Sequence, residues 1–103
     1  MTTAQLEQRD KSLRLANEVR VARAQLKRDL RAGAVNPIRL VMDPPDYAAR
    51  MTVSTMLRAV PKVGVVKAKA IPRRAGFSED RRLADLTDRQ RHQFAMALRR
   101  VTR

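Results

Sequence analysis

From Ala4 to Arg31 the chain holds neither Gly nor Pro, and Leu15, Val19, Ala22, Leu26 and Leu30 recur at spacings of three and four. That period places one apolar stripe along a long helix, with Gly33 as its stop. The other faces carry Arg9, Lys11, Arg14, Arg20, Arg23, Lys27, Arg28 and Arg31 against Glu7, Asp10, Glu18 and Asp29, which reads as a solvated, net-basic surface. The first dozen residues offer little apolar material beyond Leu6, so the chain is expected to fray or be disordered at its start.

Asn36-Pro37 is the next start signal. Asn caps free N–H groups, and a proline at the first helical position lacks a donor that would be unpaired anyway. The short helix it opens should run to about Met42 and break at Asp43-Pro44-Pro45-Asp46, leaving residues 46–50 as a connector with room for one helical turn. Helix resumes near Val53, with Thr52 or Ser54 as cap and Val53, Met56, Leu57 and Val60 as its core face. Ser78-Glu79-Asp80, with two carboxylates where the helix dipole favours them, predicts a short helix ending by Asp85 or Leu86. Thr87 and Gln90 form a capping box, and Phe94, Ala97, Leu98 and Val101 give the last helix its apolar face before the end frays over 99–103. The methionines at 1, 42, 51, 56 and 96 read as core fillers. With no alternating stretch long enough for a strand, the fold class is all-α.

Charge narrows the function. The chain of 103 residues has 23 Lys and Arg against 10 Asp and Glu, a formal charge of +13. That surplus suits a polyanion and opposes self-association, so a monomer is expected in solution. Hydrophobic residues make up 44%, enough for one modest core. With only two Phe, one Tyr and no Trp, base-stacking platforms for single strands are lacking, and so are the aromatic anchors of a helix lying on lipid. No apolar run is long enough to cross a membrane, no signal peptide opens the chain, and a cytoplasmic location is expected. There is no cysteine, and the single His92 has no partner for catalysis. Glu79-Asp80 is a helix-start pair, and Asp43, Asp46 and Asp85 follow no metal-binding pattern, so no enzymatic activity, metal or cofactor is expected.

The stretch that carries chemistry is Leu57-Arg58-Ala59-Val60-Pro61-Lys62-Val63-Gly64-Val65-Val66-Lys67-Ala68-Lys69-Ala70-Ile71. It reads as helix, tight turn, helix. Pro61 ends the first helix, and Gly64 permits a backbone conformation closed to other residues. A turn that opens a helix this way presents unpaired N–H groups at a positive dipole end, a ready phosphate site with Lys62, Lys67 and Lys69 around it. From Pro61 to Arg82 there are seven basic and two acidic residues, which concentrates the surplus on this segment. The turn resembles the hairpin of helix-hairpin-helix DNA-binding proteins, with Lys62 where that pattern has its first glycine.

A longer resemblance takes in Arg23-Ala24-Gln25-Leu26-Lys27-Arg28-Asp29-Leu30-Arg31, Met51-Thr52-Val53-Ser54, Pro61-Lys62-Val63-Gly64 with Val66-Lys67-Ala68, and Arg81-Arg82-Leu83 with Leu86 and Asp88-Arg89-Gln90. In this order and spacing the chain resembles the actinobacterial integration host factor family, over about residues 20–95. The resemblance implies a long N-terminal helix (1–31) followed by a helix-two-turns-helix domain (32–103). It implies a nucleoid-associated protein that binds duplex DNA through its backbone with little sequence preference, beside a recombinase assembled on the same DNA. The DNA-binding residues it implies are Lys62, Val63, Gly64, Val65, Lys67, Arg81 and Arg82, and charge and proximity add Lys69, Arg73 and Arg74. Two departures stand out: Pro72 should end or kink the second motif helix near Ile71, and Asp43-Pro44-Pro45-Asp46-Tyr47 replaces a more polar connector. The alternative is an RNA-binding, ribosome-associated protein built on a similar helix-two-turns-helix unit.

Overall fold

The computed structural model describes residues 2–102. Its order is α1 (Thr3–Arg31), α2 (Pro37–Met42), a 3-10 turn at Asp46–Ala48, α3 (Val53–Ala59), α4 (Gly64–Arg74), a second 3-10 turn at Leu83–Asp85, and α5 (Asp88–Thr102). Among the described residues the one β feature is an isolated antiparallel bridge between Thr52 and Arg82.

The caps fall where side-chain chemistry put them. Asn36 accepts the Ile38 N–H at 2.9 Å, Thr52 accepts that of Thr55 at 3.2 Å, and Thr87 and Gln90 exchange bonds at 3.2 and 3.1 Å. One core gathers Leu26 and Leu30 from α1, Leu40 and Val41 from α2, the α3 face, Ala68 and Ile71 from α4, and Phe94, Ala95 and Leu98 from α5. Phe77 meets Phe94 edge to face, with ring centroids 5.5 Å apart. Leu26 and Leu30 thus bring the C-terminal end of α1 into the same core as the helices that follow.

Several expectations need correction. The start of α1 is helical from Thr3, held by a Thr2–Gln5 capping box that composition alone concealed. The predicted stripe is buried only at Leu26 and Leu30. Leu15 is exposed, as is every residue from 2 to 18, so this half of the helix projects as an arm and the molecule measures 54 × 28 × 21 Å. At the other end α5 continues through Thr102, whose hydroxyl bonds the Leu98 carbonyl at 2.8 Å. Met1 and Arg103 lie outside the described residues. Met51 and Met56 fill the core as expected, whereas Met42 and Met96 are exposed.

Pro72 does not end α4, which runs on to Arg74. The proline forfeits the bond its N–H would have made to the Ala68 carbonyl, and its fully buried ring adds apolar contact that offsets part of that cost. Behind it Ala75 N–H bonds the Ile71 carbonyl and Phe77 N–H that of Pro72, at 3.2 and 3.1 Å, closing the end.

Nor does a helix form at Ser78-Glu79-Asp80. The Ser78 hydroxyl accepts the Asp80 N–H at 3.3 Å and its carbonyl accepts that of Arg81 at 3.0 Å, a local turn. The carbonyls that a helix would need face outward instead: Glu79 and Arg81 accept the Ser54 and Val53 N–H groups at 2.9 Å each. Leu83 and Ala84 then donate to Met51 and Ala49 at 3.0 and 2.9 Å. Tertiary bonding to the start of α3 outcompetes the local helix signal.

Candidate nucleic-acid interface

The turn between α3 and α4 has an unusual backbone. Val60 leaves α3 in an extended conformation, then Lys62 takes φ +72° and Gly64 φ +65°, with the intervening Val63 right-handed at φ −80°. Lys62 is the one non-glycine with positive φ among the described residues. The left-handed region costs an L-residue roughly 1–2 kcal/mol, so a side chain is kept where glycine would be easier. A pair of variants of opposite sign checks this. Lys62→Gly should leave stability unchanged or raise it by up to about 1 kcal/mol, while Gly64→Ala should lower it by about 1–2 kcal/mol. The Gly64 cost is conformational alone, since a Cβ there meets nothing within 4 Å. Urea midpoints read both.

Behind this turn α4 opens with no side-chain cap at its N-terminus. The first N–H groups of the helix are therefore available to an anion, at the positive end of its dipole. Lys62, Gly64, Val65 and Lys67 are all exposed around that opening. The Lys67 ammonium folds back toward the Lys62 carbonyl at 3.5 Å, which keeps the two lysines together. Val63 is different: its side chain is 3% exposed and belongs to the core, so it presents only backbone.

The remaining residues singled out from sequence fall in separate places. Helical spacing puts Lys69 and Arg73 on one exposed flank of α4 and Lys67 and Arg74 on the other. Lys69 and Arg73 border a shallow depression shared with Gly76, Phe77, Ser78, Glu79 and Asp80, where two carboxylates offset their charge. Arg74 instead borders a groove against α5, with Met96 and Arg100. Arg81 donates to Gln90 Oε1 at 2.9 Å, the same oxygen that caps α5. Arg82 is exposed beside it, its backbone in the bridge to Thr52. His92 is exposed and its Nδ1 lies 2.9 Å from the Asp88 carbonyl, a contact within its own helix.

The S13-like H2TH domain family matches residues 40–98. Over 87 residues the chain is 41% identical to the integration host factor of Mycobacterium tuberculosis, spanning 82% of this chain and 83% of that one. It belongs to the integration host factor family. Family members from Mycolicibacterium smegmatis, 41% identical over 87 residues, and Streptomyces coelicolor, 35% identical over 86 residues, are similarly alike. A solved integration host factor, described as sIHF bound to an 8-bp palindromic DNA, superposes with TM-score 0.70 at 31% identity. That likeness covers 85% of this chain and 98% of the other.

This integration host factor family member has a second basic surface that the sequence reading left as a solvated face. Arg20, Arg23, Lys27, Arg28 and Arg31 of α1 line one groove with Arg50, opposed there by Asp46 alone. Arg23 is partly committed, its Nε donating to the Tyr47 carbonyl at 2.7 Å. The signal was present: Arg20, Arg23, Lys27 and Arg31 recur at three and four, one stripe on one face. The arm beyond it is balanced, with Arg9, Lys11 and Arg14 against Glu7, Asp10 and Glu18, so the +13 resides in the body.

Proposed function

We propose that this chain binds duplex DNA as an architectural protein, gripping phosphates with the opening of α4 and shaping the duplex through a second contact on the α1 groove. The observation that carries the reading is the uncapped α4 N-terminus framed by exposed Lys62 and Lys67, in a family whose solved member is described as DNA-bound. N–H donors and point charges at that spot suit a phosphate and read no base edge, so little sequence preference follows. Arg81, Arg82, Lys69, Arg73 and Arg74 supply further phosphate contacts on flanking surfaces.

The proposed activity is binding, in keeping with relatives named as integration host factors. No described helix is long and apolar enough to cross a membrane. On this reading, which rests on the integration host factor relatives, the chain works on the nucleoid in the cytoplasm, free as a monomer before it binds, beside a recombinase assembled on the same DNA. The alternative ligand is structured RNA, and the relative described as bound to DNA tips the choice.

The test is a titration of fluorescent duplexes of arbitrary sequence, one DNA and one RNA, by anisotropy at three salt concentrations. With roughly five phosphates neutralised, log affinity should fall against log salt with a slope of about −4 to −5. DNA should bind more tightly than RNA. A slope near zero, or RNA binding as tight as DNA, would defeat this reading.

A further inference from the structure

Val65 and Val66 are 61% and 81% exposed, and Val66 is the most exposed large hydrophobic residue among those described. They occupy the first turn of α4, directly after Gly64. Nothing in the fold accounts for them. The core face of this helix is made by Ala68, Ile71 and Pro72, and β-branched residues on an exposed helical turn are poorer helix formers than Ala, Glu or Lys. Two solvated valines sit at the opening assigned to phosphate, in a segment otherwise dominated by lysine.

Their direction matters. Side chains on a helix lean toward its N-terminus, so residues of a first turn reach toward whatever approaches the free N–H groups. A nucleic-acid strand that sets one phosphate there brings the adjoining sugars to either side of it. The groups waiting beside that phosphate are therefore two apolar side chains with no donor or acceptor to offer.

We propose that Val65 and Val66 form a sugar-reading contact that selects deoxyribose over ribose. This deepens the DNA-binding reading above and rests on it. A deoxyribose presents C2′ hydrogens, which the valine methyl groups can cover at no polar cost. A ribose presents a hydroxyl, which these side chains would shield from water without replacing its hydrogen bond. Discrimination then resides in desolvation, and the lysines, which see only phosphate charge, contribute none of it. Val66 thereby joins the binding surface, and Val65 acts through its side chain as well as its backbone.

The experiment compares the wild-type chain with Val65→Thr/Val66→Thr, which keeps shape and charge while adding a hydroxyl able to pair with a 2′-OH. Both residues are exposed, so melting temperature should be unchanged, and this is measured first. Each protein is titrated with a DNA duplex, the same duplex carrying single ribonucleotides at successive positions, and an RNA duplex. Single ribonucleotides change the sugar while leaving the duplex close to its DNA form. The wild type should lose about 5- to 10-fold in affinity when the ribonucleotide falls at the contacted sugar. The variant should recover most of that loss with an unchanged salt slope. A DNA-to-RNA affinity ratio equal in the two proteins, with no ribonucleotide position weakening the wild type, overturns the proposal while leaving DNA binding standing. A wild type that binds neither duplex overturns both readings together.

Discussion

Reversing Lys62 and Lys67 together to Glu should lower affinity for an arbitrary DNA duplex on the order of 100-fold at physiological salt. The two lysines stand exposed on either side of an uncapped helix opening, tied by the 3.5 Å contact between the Lys67 ammonium and the Lys62 carbonyl. Losing each phosphate partner should shallow the salt slope by about one, so the variant should fall from about −5 toward −3. The added carboxylates then repel the same phosphates, which takes the loss beyond simple deletion. Both side chains are solvated, so helical content by circular dichroism should persist. If affinity and slope both hold, the grip lies on the α1 groove, and Lys27→Glu with Arg31→Glu would carry the loss instead.

The largest stability effect should come from a residue outside any binding surface. Arg91 on α5 is half-buried, and its guanidinium donates to the carbonyls of Val41 at 2.6 Å, Leu83 at 3.0 Å and Leu86 at 3.3 Å. One fork thus ties α5 to the last turn of α2 and to the segment that leads into α5 itself. Charged donors to carbonyls contribute roughly 1.5–3 kcal/mol each, and the carbonyls at the end of α2 have no helical partner to fall back on. Arg91→Met keeps the apolar stem and should cost about 3–4 kcal/mol, a large share of the roughly 5–15 kcal/mol typical of a domain. Arg91→Lys should recover less than half, since a point charge cannot serve three divergent carbonyls. Urea denaturation followed at 222 nm measures both. A cost below about 1 kcal/mol would mean that water satisfies those carbonyls equally well.

Much of this molecule is legible from local chemistry. Asn36, Thr52 and Thr87 cap the helices that their spacing announced, and Pro61 with Gly64 shapes the turn in the expected way. What stays hidden is settled by distant partners. Ser78-Glu79-Asp80 has the composition of a helix start, yet the N–H groups of Ser54 and Val53 claim the carbonyls of Glu79 and the following Arg81 across more than twenty residues. Pro72 has the composition of a helix end, yet the helix runs on to Arg74 and the proline ring is buried in the core, an apolar gain set against the lost bond. Arg91 could have been noticed. It stands three and seven residues before Phe94 and Leu98, a charged residue on the core side of α5, and such a residue announces buried acceptors on a neighbouring element. The strain at Lys62 follows from its place opposite the first glycine of the helix-hairpin-helix pattern, and the folded backbone keeps the glycine's left-handed geometry there.

The loop from Ser78 to Leu86 joins the fold through main-chain carbonyls and N–H groups and through the buried Leu83 and Leu86, while the side chains of Asp80, Arg81 and Arg82 are exposed on its outer surface. Any non-proline residue supplies the same main-chain groups, so charge can drift here without disturbing the scaffold. Evolution is left with a tuning strip beside the grip: acidic substitutions would loosen hold on a chromosome, basic ones would lengthen residence, and neither would ask the core to change.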